Sequence, residues 1–252
     1  MNCPKVALFD LDDTLAESFK PPTAEMMHRI KALLEHLPIA IVSGAKFERI
    51  KVEVLDRLAS SPHLSNLFVF ADNAAQGYRY AGEDWNMLYS HEFTPEEQAV
   101  IEQIIHQAVL ESDVFGPNPP YQPQLLKDPA QLRYAALGLD ASEDDKVHWD
   151  VDMQKRKKIK DSIAMLLPEC EVSIGGRTTI DITRKGVNKA YGVNWIAKHL
   201  GIEAHEMLFV GDALYEGGND AVVIPTGIET ISVTGPDDTA KIIDELLMVC
   251  KP

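Results

Sequence analysis

The chain has 252 residues, 45% of them hydrophobic, enough to bury one large core or two smaller ones. With 24 Lys plus Arg against 39 Asp plus Glu, its net charge of -15 disfavours a nucleic-acid surface and repels phosphorylated substrates at long range. Three scattered cysteines, Cys3, Cys170 and Cys250, imply neither a disulfide framework nor a zinc site, and with no leader pattern or membrane-length apolar run the expected setting is the cytoplasm.

Short apolar runs alternate with helical patterns, which points to a parallel sheet covered by helices. Residues 6–9 (VALF) read as a buried strand that ends at Asp10 and Asp12. A helix from Thr23 presents Met26, Met27, Ile30, Leu33, Leu34 and Leu37 at helical spacing. Strand 39–42 (IAIV), a helix from about Ala45 and strand 67–70 (LFVF) follow, the last ending in Asp72 and Asn73. Near Tyr78 the pattern changes. Thr94, Pro95 and Glu97 spell a capping box before a helix with Ile101, Ile104, Ile105 and Val109 on its apolar side. Pro117, Pro119, Pro120, Pro123 and Pro129 punctuate a long loop. A strand at 131–139, a helix over 151–167 and a hairpin at Gly175 and Gly176 come next. After Gly186 come a helix closed by Gly201, the strand in MLFVGD, and a last strand and helix after Glu229. The expected organisation is a core in two parts, 1–80 and 185–252, interrupted by an α/β unit at 81–184.

The two strand ends carry the chemistry. VALFDLD delivers Asp10 and Asp12 to the point where a buried strand stops, and MLFVGD does the same for Asp212. Three carboxylates at neighbouring strand ends repel one another unless a hard cation sits among them, and oxygen ligands with room for water and phosphate suit Mg²⁺. Taken alone, a D-x-D at a strand end is usually a turn or a cap.

In order along the chain, DLDDTL, Ser43 in IAIVSG, Lys189 in KGVNKAYG, and Asp212 with Asp220 in GDALYEGGND resemble the four motifs of the haloacid dehalogenase superfamily of aspartate-nucleophile phosphotransferases. The stretches SIGGRTTIDIT, GGND and SVTGPDDTAKII look like its subfamily IIB and, within that, the phosphomannomutase-like branch. The resemblance implies a Rossmann-like parallel-sheet core with an inserted α/β cap, Mg²⁺ as cofactor and a small phosphorylated metabolite as partner. Asp10 would attack phosphorus, and Asp12 would protonate the leaving oxygen and later activate the acceptor. Asp10, Asp12 and Asp212 would hold the metal, with Asn219 and Asp220 orienting Asp212 from behind, although those two fit a plain turn as well. Ser43, with the amides of Gly44 and Ala45, would bind phosphoryl oxygens, or serve as an ordinary helix cap. Lys189 would bind phosphate, or sit solvated at a helix start. Asp13 stands where this turn commonly has glycine.

In the cap, the resemblance implies Arg133 for phosphate, and Thr179 and Asp181 for the sugar; Arg133 is also readable as an edge-strand charge. The sequence GLDASEDDK after it lacks a second phosphate-gripping arginine, and Arg156, Lys157 and Lys158 fall on an expected solvated helix face. An acidic protein cannot hold a second phosphate by its general field. The reading is therefore a Mg²⁺-dependent phosphatase of a small phosphorylated metabolite, a sugar phosphate being the expected case. The alternative is a mutase that returns the phosphoryl group to another hydroxyl, and a third is a non-catalytic sugar-phosphate binder, which would not need Asp10, Asp12, Lys189 and Asp212 together.

Overall fold

A computed structural model describes residues 2–18, 20–115 and 124–251, so Pro117, Pro119, Pro120 and Pro123 of the expected loop lie outside the described residues. In chain order the elements begin with β1 (Val6–Phe9), α1 (Ala24–Leu33), β2 (Ile39–Val42), α2 (Phe47–Ile50), α3 (Asp56–Leu58), β3 (Leu67–Ala71), β4 (Gln76–Ala81) and β5 (Asp84–Ser90). They continue with α4 (Pro95–Ser112), β6 (Gln124–Lys127), β7 (Leu132–Ala135), α5 (Glu143–His148), α6 (Gln154–Leu166), β8 (Cys170–Gly175) and β9 (Thr179–Arg184). The last are α7 (Lys189–Leu200), β10 (Met207–Gly211), β11 (Glu229–Ser232) and α8 (Pro236–Val249). Two compact units result, Met1–Ser90 with Asn188–Pro252, and His91–Val187.

The first unit is built on a seven-stranded sheet ordered β11-β10-β1-β2-β3-β4-β5. The first five of these run parallel, and β4 and β5 are added through antiparallel pairings, β4 on β3 and β5 on β4. β1, β2, β3 and β10 are buried along their whole length. Their alternate residues serve two apolar layers, as a sheet covered on both faces requires. Ala7, Phe9, Ile39, Ile41, Val69 and Val210 join Met26, Ile30, Leu33 and Ile243 on one side. Leu8, Ala40, Val42, Phe68, Phe70 and Phe209 meet Val193 and Ile196 on the other. Phe9 lies opposite both Val210 and Ile41, and Val42 opposite Phe70. This register brings Asp212, Asp10, Ser43 and Asp72 out at four adjacent carboxyl ends, the position where an open α/β sheet binds its ligand.

Three expectations need correction here. The core does not stop at residue 80, because β4 and β5 form a hairpin that extends the same sheet to Ser90 and packs Tyr80 and Trp85 beside Tyr78 and Phe47; the later changeover likewise falls after Val187. The helix expected from Ala45 starts at Phe47 and includes a π-turned stretch, Lys51–Leu55. Cys3 and Cys250 are bonded as a disulfide, which ties the chain before β1 to the end of α8.

The second unit is an antiparallel sheet ordered β6-β7-β9-β8. One face, with Leu132, Tyr134, Val172, Ile180 and Ile182, packs on Ile101 and Ile105 of α4 and Ile159 and Ile163 of α6. Arg133, Asp181 and Ser173 are cross-strand partners, as are Ala135, Thr179 and Gly175, so these residues share the opposite face. The strand expected to reach 139 ends at Ala135, and the acidic segment after it forms α5.

Candidate active site

Asp10 leaves β1 with its amide bonded to the Val210 carbonyl at 3.0 Å and only 5% of its surface exposed. Lys189 opens α7 behind an Asn188 cap, is 1% exposed, and donates from Nζ to Asp10 Oδ1 and Asp220 Oδ1, each at 2.6 Å. The other oxygen of Asp220 accepts from the Ala213 amide at 3.1 Å. Glycine at 211 is what permits this, since a Cβ there would lie 2.3 Å from Asp220 Oδ2. Asp212 is held by Thr14, whose hydroxyl accepts from the Asp212 amide at 3.1 Å and donates to Asp212 Oδ1 at 3.4 Å.

Carboxylate oxygens of Asp10, Asp212 and Asp220 lie within 4.8 Å of one another. Two of these acids, Asp10 and Asp220, contact the one ammonium, and Asp212 lies in the same cluster. Burial pulls the Lys189 pKa down, yet Asp10 and Asp220 hold it above the ordinary lysine value, so it stays charged. Burial pushes Asp10 up, with Lys189 opposing. Burial and then the neighbouring Asp220 push Asp212 up to about 6. Such an excess of crowded, poorly hydrated negative charge fits a divalent cation with oxygen ligands. Asp220, expected behind Asp212, is a member of the cluster itself, with half-buried Asn219 beside it in sequence.

Asp12 is not in that cluster. Its carboxylate is gripped end-on by Arg49 of α2, Nη1 to Oδ2 at 2.9 Å and Nη2 to Oδ1 at 2.7 Å. The next residue, Asp13, takes the left-handed conformation (φ 55°) that glycine would adopt more easily, and its carboxylate accepts from the Ser18 amide and hydroxyl.

Ser43 is buried, and its hydroxyl accepts from the Ala45 amide at 3.0 Å. This is a correction: the Ala45 amide is used inside the loop, and because α2 begins later with Lys46 at its cap, Ser43 is not the helix cap. Half-buried Gly44 lies between them. The loop is braced from β3, where the Asn73 amide donates to the Ser43 carbonyl at 2.9 Å and the Asp72 amide to the Ala45 carbonyl at 3.0 Å. To do so Asp72, Asn73 and Ala74 all adopt positive φ, at 51°, 56° and 67°. Three successive non-glycine residues in this region cost roughly 1 kcal/mol or more each, a strain typical of functional loops. Thr14, Arg49 and the Asp72–Ala74 turn carry no functional motif of their own in the sequence. The i, i+4 pairing of Arg49 with Glu53 was the available hint.

In the second unit Arg133, Thr179 and Asp181 come together. Arg133 Nε donates to the buried Asp181 Oδ1 at 3.0 Å, and Thr179 stands one pleat away on the same face. Gly175 opens this corner, because a Cβ there would sit 2.6 Å from Asp181 Oδ2 and 2.7 Å from Thr179 Oγ1. Arg156 is not solvated as expected. It is buried and donates from Nε to Asp150 Oδ2 at 2.8 Å and from Nη1 to the Gly176 carbonyl, while Lys157 and Lys158 are exposed.

The family model described as haloacid dehalogenase-like hydrolase matches residues 7–220. A phosphomannomutase of Spinacia oleracea is 24% identical over 98% of this chain and 97% of its own length, and one of Oryza sativa subsp. indica is 26% identical over the same shares. Among solved structures, the IMP-bound, N-terminally truncated IMP-nucleotidase of Plasmodium falciparum superposes with a TM-score of 0.73 at 15% identity, over 97% of this chain and 68% of that one.

Proposed function

This chain belongs to the haloacid dehalogenase-like hydrolase family, and from that premise we propose that it is a Mg²⁺-dependent phosphatase that hydrolyses a small phosphorylated sugar through an aspartyl phosphate on Asp10. The observation that carries the reading is the cluster of Asp10, Asp212 and Asp220 about a single buried Lys189. Asp10 and Asp212 would hold the cation, with Asp220 completing the acidic set. When bound, Mg²⁺ supplies charge neutralisation between the Asp10 carboxylate and the incoming phosphoryl group.

The chain's own residues would then do the following. An Asp10 oxygen bonds to phosphorus as the bond from phosphorus to the sugar oxygen breaks, and Asp12 gives its proton to that leaving oxygen. Asp12 next takes a proton from water, whose oxygen bonds to phosphorus while the Asp10–phosphorus bond breaks and inorganic phosphate leaves. Lys189 holds Asp10 in line and offers positive charge to a phosphoryl oxygen; the Ser43 hydroxyl and the Gly44 amide serve the others. Arg133 would engage the substrate anion, and Thr179 and Asp181 its hydroxyls, making His91–Val187 the specificity unit.

A mutase is the second reading, and one specific observation favours it: the relatives matched over nearly the whole chain are named phosphomannomutase. That name supports return of the phosphoryl group to another sugar hydroxyl more than it supports hydrolysis. The second unit's residues weigh the other way, since the segment after Arg133 carries Asp140, Glu143, Asp144 and Asp145 where a second anion grip would be needed, and Arg156 is taken up by Asp150. Mannose 1-phosphate supplied with a catalytic amount of mannose bisphosphate separates the two. Free phosphate with little mannose 6-phosphate is the expected result; efficient bisphosphate-dependent formation of mannose 6-phosphate would establish the mutase instead. No helix among the described residues is long and apolar enough to cross a membrane. The cytoplasm is the proposed setting.

A further inference from the structure

Asp12 must reach a leaving oxygen and later a water, yet its carboxylate is held by two parallel N–H groups of Arg49 at 2.7 and 2.9 Å. Arg49 is itself anchored from its third donor, Nε, to both carboxylate oxygens of Glu53 at 3.1 Å, one turn along the helical stretch. The side chains of Arg49, Asp12 and Glu53 are only 21%, 29% and 20% exposed, so this is not a loose surface pair. A bidentate fork fixes the plane of a carboxylate as well as its position, which a lysine or a solvent-exposed pair cannot do. The loop bearing Asp12 is pinned on its other side by Asp13 and Ser18, leaving the side-chain torsions of Asp12 as its principal freedom.

We propose that Arg49 is the positioning residue of the acid/base carboxylate: its fork stations Asp12 beside the reaction centre, and Glu53 keeps the guanidinium in place each time Asp12 turns to the substrate and back. The inference rests on Asp12 acting as acid and base. It assigns a role to two residues outside the four motifs. Because Arg49 acts through Asp12, its loss should slow the steps that use Asp12 and spare the step that does not.

Phosphorylation of Asp10 by 4-nitrophenyl phosphate needs no proton for its leaving group, whereas breakdown of the phosphoenzyme needs Asp12 as base. Rapid-quench measurement of the nitrophenolate burst and of subsequent phosphate release, normalised to phosphorylated sites, reads both in the wild type, Arg49→Met, Arg49→Lys and Asp12→Asn proteins and in the Arg49→Met/Asp12→Asn double variant. Arg49→Met should leave the burst rate within about threefold and slow phosphate release at least tenfold. Arg49→Lys, which keeps the charge and loses the fork, should fall between. In the Asp12→Asn background, Arg49→Met should change phosphate release less than twofold, the signature of two residues acting as one. Equal slowing of burst and release, or the same factor with and without Asp12, would overturn the positioning role while the Asp10 chemistry stands. Turnover in the wild type with no phosphate on Asp10 would instead remove the proposed function, and this inference with it.

Discussion

The two units treat buried charge in opposite ways. In the second, the buried Arg156 pairs with the buried Asp150 and the partly buried Arg133 pairs with the buried Asp181, a cation set against a carboxylate in both cases. In the first, Lys189 meets Asp10 and Asp220 with Asp212 close by, and one positive charge faces three acids. A balanced pair fixes a fold; an unbalanced cluster is unstable by itself and is suited to receive a cation and then an anion. Each member of this contrast can be removed separately.

Lys189→Met should have the largest effect. It leaves Asp10, Asp212 and Asp220 facing one another, and turnover should fall about 10³-fold or more, equivalent to about 4 kcal/mol of transition-state stabilisation. Steady-state kinetics at saturating Mg²⁺ measure it, and a loss below tenfold would mean that the ammonium is merely structural.

Arg156→Met tests the balanced partner. Asp150 would remain buried without its cation, at a cost of about 3–5 kcal/mol. Its carboxylate also accepts from the amides of Lys155 and Arg156 at the start of α6, so the damage should centre on that helix and the adjoining hairpin. Denaturant unfolding should show the loss of stability, with kcat per folded molecule changed by less than about threefold.

Much of this contrast was legible in the chain and part was not. β1, β2, β3 and β10 are unbroken apolar runs, and Asp10, Ser43 and Asp212 follow them directly, so local pattern sufficed. The Thr94–Glu97 capping box and the left-handed Gly201 mark helix ends through neighbouring residues alone. The β4–β5 hairpin is hard to read from the chain although Tyr78, Tyr80, Trp85 and Met87 flank a turn at Gly82, because exposed polar residues on β5 resemble the start of a new unit. Arg49 meets Asp12 across 37 positions and Cys3 meets Cys250 across 247. No periodicity encodes such pairings. Arg156 sits in a run, KRKK, that reads as solvated, and Asp150 at the preceding turn together with the Gly176 carbonyl draws it inward.

The metal-free cluster also carries a pH signature. The Asp212 pKa of about 6 in the folded chain exceeds its value near 3.8 when exposed, because burial and Asp220 disfavour the anion. The folded state therefore binds this proton more tightly. Its stabilising effect is full below about pH 4 and is lost as pH rises through about 6. In chelator, stability should drop over that window by on the order of 1–2 kcal/mol, allowing for partial solvent screening. Asp212→Asn should flatten that part of the curve, and Mg²⁺ at pH 7 should restore what the proton supplied. Thermal melts from pH 4 to 7 provide the check; a wild type and an Asp212→Asn protein with the same slope would contradict the assignment.

Arg133→Ala is expected to have the smallest effect. Loss of one anion contact should raise KM for a phosphorylated sugar about tenfold, near 1.4 kcal/mol, with kcat reduced less. An unchanged KM would return Arg133 to a purely structural partnership with Asp181.

The central claim is that Asp10 carries the phosphoryl group. Acid quench of the Mg²⁺-loaded protein during turnover of a phosphorylated sugar, followed by peptide mass spectrometry, tests it most directly. The expected result is a phosphate that is labile to base and lies on the peptide holding Asp10, absent from a folded Asp10→Asn protein that is also inactive. Turnover without that label, or an active Asp10→Asn protein, would contradict it.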